Sequence, residues 1–239
     1  MQSKKIILFI IVILVVISMI GGYFFMGWKP TTKPSEETEE ETTSSPSILF
    51  GADDYKIEEK LEGKFIVIEK VGFTAKAPKG WEVKKEGGKS YYSPAGEEYY
   101  ITMLSPDATT SEKTNTILGK GCGVSILVFT SDKKEIEEIR TVIDFLKEHP
   151  GATTKEVLSG VPLKFFSFTR DYTYKTREIS NYSVLEGVLS KNPLFDQIIG
   201  IQIPLNEDKL IVLETGFPPG YKEKCLPIWE EFLKTVIIK

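Results

Sequence analysis

The stretch GVSILVFTSDKKEIEEIRTVIDFLKEHP, residues 123–150, changes its period halfway along. Gly123–Thr130 is a Val/Ile-rich run of strand length. From Asp132 onward, Ile136, Ile139, Val142, Ile143 and Leu146 recur three and four apart, which places them on one face of a helix. Asp132 starts that helix, with Glu135 three residues on as its partner in an approximate capping box, and Pro150-Gly151 ends it. A strand feeding a single amphipathic helix is the unit of a sheet covered by helices.

Before this stretch come short extended runs. Phe65–Ile68, Phe73–Ala77 and Trp81–Lys85 are separated by Gly72 and by Pro78-Lys79-Gly80. Ser90–Tyr92 and Tyr99–Leu104 flank Ser93-Pro94-Ala95-Gly96 and read as a hairpin. After it, Lys155–Leu158, Leu163–Tyr172, Tyr182–Leu189, Gln197–Pro204 and Lys209–Thr215 read as strands. A last helix carries Cys225, Trp229, Phe232, Leu233 and Val236 on one face, with Pro227 tolerable in its first turn. Consecutive strands with short turns, then single helices, define an α+β fold built on an antiparallel sheet.

The N-terminal part is of another kind. Residues 1–5 form a short tail with Lys4 and Lys5, and Ile6–Trp28 is a charge-free run of 23 residues. As a helix it spans roughly 35 Å, enough to cross a hydrocarbon core. Bulky aromatics follow Gly21-Gly22, an interfacial belt rather than a cleavage site, so the segment reads as a retained anchor. The flanking lysines favour a cytoplasmic N-terminus and an extracytoplasmic C-terminal part. Residues 29–47, KPTTKPSEETEEETTSSPS, cannot bury enough surface to order themselves and read as a flexible acidic tether.

Residues 48–239 number 192, the size of one domain, with 26 basic and 29 acidic side chains. That near balance gives no footprint for nucleic acid.

The order of elements resembles PsbP-like domains. The likeness is carried by Gly72-Phe73-Thr74-Ala75-Lys76-Ala77-Pro78-Lys79-Gly80-Trp81-Glu82-Val83, where a strand ends in a Pro-x-x-Trp turn. Tyr92-Ser93-Pro94, Ile101-Thr102-Met103, the helix after Ile126–Phe129, Gly160-Val161-Pro162 and the C-terminal helix are similar in order and spacing. The resemblance covers about Phe65 to Val236. It implies a Mog1/PsbP-like α/β/α sandwich with a central antiparallel sheet, in a family of accessory and binding proteins rather than enzymes. No functional residue of that family has a motif-matched counterpart here, so the resemblance supplies none.

Chemistry-bearing residues are few. Cys122 and Cys225 are the only cysteines, and in an exported domain an even pair reads as a disulfide, here stapling the last helix to the sheet. The alternative is two unrelated buried thiols. A thiol hydrolase with Cys122 as nucleophile and His149 as base lacks an orienting motif, and His149 more simply complements a helix dipole. The glycines around Cys122 precede a strand, so they are no phosphate cradle. Asp53-Asp54 and Asp107 lack a calcium-loop pattern and read as turn residues. The composition implies no metal and no cofactor.

Tyr91, Tyr92, Tyr99 and Tyr100 are the candidate surface aromatics. Alternation sends one of each pair outward, where they form a cross-strand ladder or a stacking platform. Asn181-Tyr182-Ser183 matches a glycosylation sequon. The expectation is a single-pass membrane protein whose PsbP-like domain is a non-catalytic binding or accessory module. Its partners are the membrane, through the N-terminal helix, and an unknown protein or small ligand. The alternatives are an extracytoplasmic hydrolase with an unrecognised site and a structural envelope protein.

Overall fold

The structure is a computed structural model that describes residues 50–89, 97–111, 114–163, 172–190 and 194–239. The chain divides into two units, Met1–Ser45 and Pro46–Lys239, and every described residue belongs to the second. The segment Ile6–Trp28, the tether 29–47, Tyr91 and Tyr92 lie outside the described residues. Among the described residues no helix is long and apolar enough to cross a membrane.

In chain order the strands are β1 (Lys56–Lys60), β2 (Gly63–Ile68), β3 (Phe73–Lys76), β4 (Glu82–Lys89), β5 (Glu97–Leu104), β6 (Thr109–Ser111), β7 (Thr114–Lys120) and β8 (Gly123–Thr130). Helices α1 (Lys133–Glu148) and α2 (Thr154–Gly160) follow. Then come β9 (Tyr172–Ile179), β10 (Tyr182–Leu189), β11 (Gln197–Pro204) and β12 (Lys209–Phe217), helix α3 (Lys222–Lys234) and β13 (Ile237–Ile238). The main sheet has seven antiparallel strands in the order β4-β5-β8-β12-β11-β10-β9. A four-stranded sheet, β1-β2-β3-β13, and the β6-β7 hairpin complete the described strands. The fold is α+β, with antiparallel pairing throughout these sheets.

Alternation along the seven strands sorts side chains onto two faces. On one, Ile101, Ile126, Ile201 and Leu213 pack with Ile66, Phe73, Trp229 and Phe232, joining the sheet to the four-stranded sheet and α3. On the other, Leu185, Leu210 and Tyr174 pack against α1 and α2. The five α1 positions expected on one face, Ile136, Ile139, Val142, Ile143 and Leu146, are all buried, each worth about 1.5–3 kcal/mol relative to exposure. Tyr55 extends the first core across layers: its hydroxyl donates to the Val128 carbonyl at 3.4 Å and accepts from the Val128 amide at 3.1 Å.

Several local expectations need correction. Asp132 caps α1 by accepting from Lys134 N at 2.7 Å, but Glu135 takes the Ser131 hydroxyl instead of closing a capping box. The reciprocal box sits at α2, where Thr153 and Glu156 satisfy each other's backbone amides. Lys155–Leu158, expected as a strand, is therefore helical. Tyr99–Leu104 pairs with an extended β4 rather than with Ser90–Tyr92, and Tyr99 and Tyr100 face Gly87 and Glu86. β9 begins at Tyr172, where the expected Leu163–Tyr172 strand ends; residues 164–171 are not described. Pro227 lies in the second turn of α3, because Tyr221 accepts the Lys224 and Cys225 amides and starts the helix earlier. Val236 is buried but lies just past that helix.

The Pro78–Trp81 turn forms as its residues require. Trp81 N donates to Pro78 O at 3.1 Å, and Gly80 at φ +80 takes the position that a type II turn reserves for positive φ. It leaves Trp81 buried against the main core.

Candidate functional site on the helix-covered side of the sheet

Cys122 and Cys225 form a disulfide, with sulfurs 2.01 Å and Cα atoms 5.5 Å apart. It joins the residue before β8 to the first turn of α3, and both residues are buried. The loop around it is closely fitted. Ser105 N donates to Cys122 O and Cys122 N to Ser105 Oγ, each at 2.9 Å, while Ser105 Oγ donates to Asp107. Gly121 has φ +81, and a Cβ there would meet Ala108 Cα at 2.6 Å, so only glycine fits. Lys224 reaches Asp107 at 2.6 Å, and with Ser105 it holds that carboxyl below the usual range.

A thiol nucleophile is excluded by this bond. His149 is also on the other side of the sheet, at the end of α1, its Nδ1 3.0 Å from Phe145 O and its ring stacked on Phe145. Asp54 accepts from Gly51 N and pairs with Lys70; burial would raise its pKa, but these partners outweigh burial and lower it. Among the described residues no three His, Cys, Asp or Glu converge as a metal site.

The second face of the sheet is different. α1 covers the half nearest the β11–β12 turn, tied down by Arg140 to the Asn206 carbonyl and by Lys133 to Glu207. Beyond the row Leu185–Gln202–Val212–Leu127–Tyr100, pairing register sets a row of mostly small residues. It runs Tyr174–Gly187–Gly200–Glu214–Ser125–Thr102–Lys84, one residue per strand. From β10 to β5 the strip crosses roughly 19 Å of sheet at the usual strand spacing.

The strip is floored by backbone. A Cβ on Gly200 would meet no atom within 4 Å. At one flank the Tyr172 and Tyr174 rings lie over Gly187, and at the other the Phe195 ring lies 3.0 Å from the Cβ position of Gly216. Glu214 stands in the middle. Its residue is exposed to water, yet the surrounding sheet desolvates the carboxyl and raises its pKa. Gln202, in the adjoining row, has a buried Oε1 with no hydrogen-bond partner among the described residues.

Tyr99 and Tyr100 divide as alternation requires. Tyr99 packs against the first core, and Tyr100 points to the second face, where its hydroxyl donates to Glu86 at 3.1 Å. Burial and that carboxylate raise the Tyr100 pKa. Tyr100 borders the strip; Tyr91 and Tyr92 fall outside the described residues. Glu214 was not singled out from sequence, although an acid directly after Ile211-Val212-Leu213 interrupts an otherwise apolar strand. Chemically the strip offers one carboxylate, the hydroxyls of Ser125 and Thr102, and aromatic rims. It suits an extended ligand laid across the strands.

No family model matches this chain, and no curated protein matches it. Among solved structures, a protein from Bacteroides thetaiotaomicron VPI-5482 is similar at a TM-score of 0.34 and 11% identity, over 70% of this chain. The chain spans 45% of that structure's length, and a likeness this low carries no argument about fold or function.

Proposed function

We propose that this is a single-pass membrane protein that displays its C-terminal domain outside the cytoplasm as a binding or accessory module. The observation that carries the reading is the Cys122–Cys225 disulfide, a bond that persists in oxidising compartments. The charge-free segment Ile6–Trp28 agrees with it, long enough to anchor the chain. A Mog1/PsbP-like architecture is the finer fold we propose. Its support is the layering of α1 and α2 on one face of a central antiparallel sheet and α3 on the other.

The module binds through the strip centred on Glu214. A photo-crosslinking residue at Ser125 or Ile198, introduced into the full chain in its own membranes, tests this. The expected result is a discrete adduct from both positions and none from Glu137 on the exposed side of α1. Adducts equal at all three positions, or at none, would overturn the role of the strip. Protease added outside intact cells tests display; a domain that is cleaved only after lysis would overturn export.

A further inference from the structure

Asn181-Tyr182-Ser183 places a serine two residues after an asparagine, with no proline between, the acceptor pattern for N-linked glycan transfer. The other asparagines, Asn115, Asn192 and Asn206, are followed at that distance by Ile117, Leu194 and Asp208. Asn181 alone fits.

Its place in the fold is the tip of the β9–β10 hairpin. Ile179 pairs with Tyr182, so Ser180 and Asn181 make the turn by themselves, and both are exposed. Asparagine is common in such turns for two structural reasons: it tolerates positive φ, and its side chain bonds its own backbone two residues on. Neither holds here. The positive φ, +57, falls on Ser180, whose hydroxyl also accepts from Ile238 N at 3.4 Å. The Asn181 side chain has no partner among the described residues. Asn206 is the contrast, since its Oδ1 accepts from Asp208 N at 3.3 Å in the usual local bond. The turn is built without Asn181.

We infer that Asn181 is a site of N-linked glycosylation, a reading that rests on export of the domain. The donor is an oligosaccharide carried on an isoprenoid phosphate or diphosphate, and the catalyst a membrane transferase on the outer side. Asn181 Nδ2 attacks the anomeric carbon; the C–N bond forms as the carbon–oxygen bond to phosphate breaks. One amide proton is released and the isoprenoid phosphate departs. In the folded hairpin the Ser183 hydroxyl donates to Glu178. Transfer therefore acts on the exported chain before β9 and β10 pair, and the finished glycan projects from the tip of the hairpin.

The test is mass spectrometry of the full chain isolated from the membranes of the cells that make it. Trypsin releases Glu178–Lys191 as one peptide. The expected result is a hexose-containing mass addition on this peptide. Asn181→Gln and Ser183→Ala should each lower the modified fraction at least about tenfold, and Ser183→Thr should keep it. An unmodified peptide, on protein that external protease cleaves in intact cells, overturns the glycosylation site alone. An unmodified peptide on protein that is cleaved only after lysis overturns both the site and the export reading. Unchanged thermal unfolding of both loss variants separates lost transfer from lost folding.

Discussion

One face of the seven-stranded sheet meets α3 and a second sheet, whereas the other is roofed by α1 and α2 over part of its area. The first face is mostly apolar, closed by a disulfide, and holds the largest fully buried side chains, Trp229, Tyr55, Phe73, Phe217 and Phe232, with Glu186 buried there against Lys175 and Arg177. The second changes character within four residues along β12, from buried Leu210 through half-buried Val212 to exposed Glu214. Both faces hang on the same strands, so side-chain parity alone separates them. A substitution at an odd position of β12 acts on the first face, and one at an even position on the second.

The largest effect that follows is at Trp229. Trp229→Ala should cost about 3–5 kcal/mol by urea unfolding, against about 1 kcal/mol for Ile198→Ala on the half-covered face. Equal costs would break the distinction between the faces. Next comes the disulfide, which closes a loop between residues 103 apart in sequence. Replacing both cysteines by alanine should lower stability by about 2–5 kcal/mol, and reductant should add nothing further to that variant.

Two glycines sharpen the contrast. Gly121→Ala, at φ +81 and with its Cβ against Ala108, should cost about 1–3 kcal/mol. Gly200→Ala, with open space above it, should instead be neutral or stabilise by up to about 1 kcal/mol, read as a shift in thermal midpoint.

The smallest effects are in pH dependence, and their signs oppose each other. Arg177 bonds Glu230 at 2.6 and 2.9 Å and holds its carboxyl below the usual 4.5, while burial alone opposes the shift. Stability from this pair is complete above the unfolded value and is lost as pH falls through the lower folded one. Glu214 is raised above 4.5 by desolvation, so it costs stability at neutral pH, and that cost vanishes as pH falls to the unfolded value. Glu230→Gln should therefore weaken the protein at neutral pH by under about 1 kcal/mol. Glu214→Gln should strengthen it by a smaller amount, since solvent around this exposed residue screens the charge. Both differences should shrink in an unfolding series taken down to about pH 3. Differences that persist unchanged there would remove charge as their cause.

The buried faces of α1 and α3 were legible because helical spacing and long apolar side chains carry the signal by themselves. The cysteine pairing was legible because two cysteines allow one partner. β1 was missed because Lys56-Ile57-Glu58-Glu59-Lys60 has one apolar residue; its pairing with β2, not its own pattern, makes it a strand. β13 has two residues and exists through β3. α2 was misread although Thr153-Thr154-Lys155-Glu156 carries the capping box that starts it. The strip around Glu214 was illegible for a different reason. Its members come from seven strands, and only the register brings Gly187, Gly200, Glu214, Ser125 and Thr102 into line.

The 103-residue separation of the two cysteines also sets an order of assembly. At about 5–20 residues per second, Cys122 emerges roughly 5–20 s before its partner exists. Through most of that interval β12, the central strand, and α3, the helix that closes the first core, are still unmade. The thiol has no wrong partner within its own chain, so waiting leads to no mispairing there. A small disulfide can trap it, as the Cys122 thiolate attacks one sulfur, forms a mixed disulfide and releases the other half as a thiol. The residues that follow β12 therefore decide whether the domain is locked.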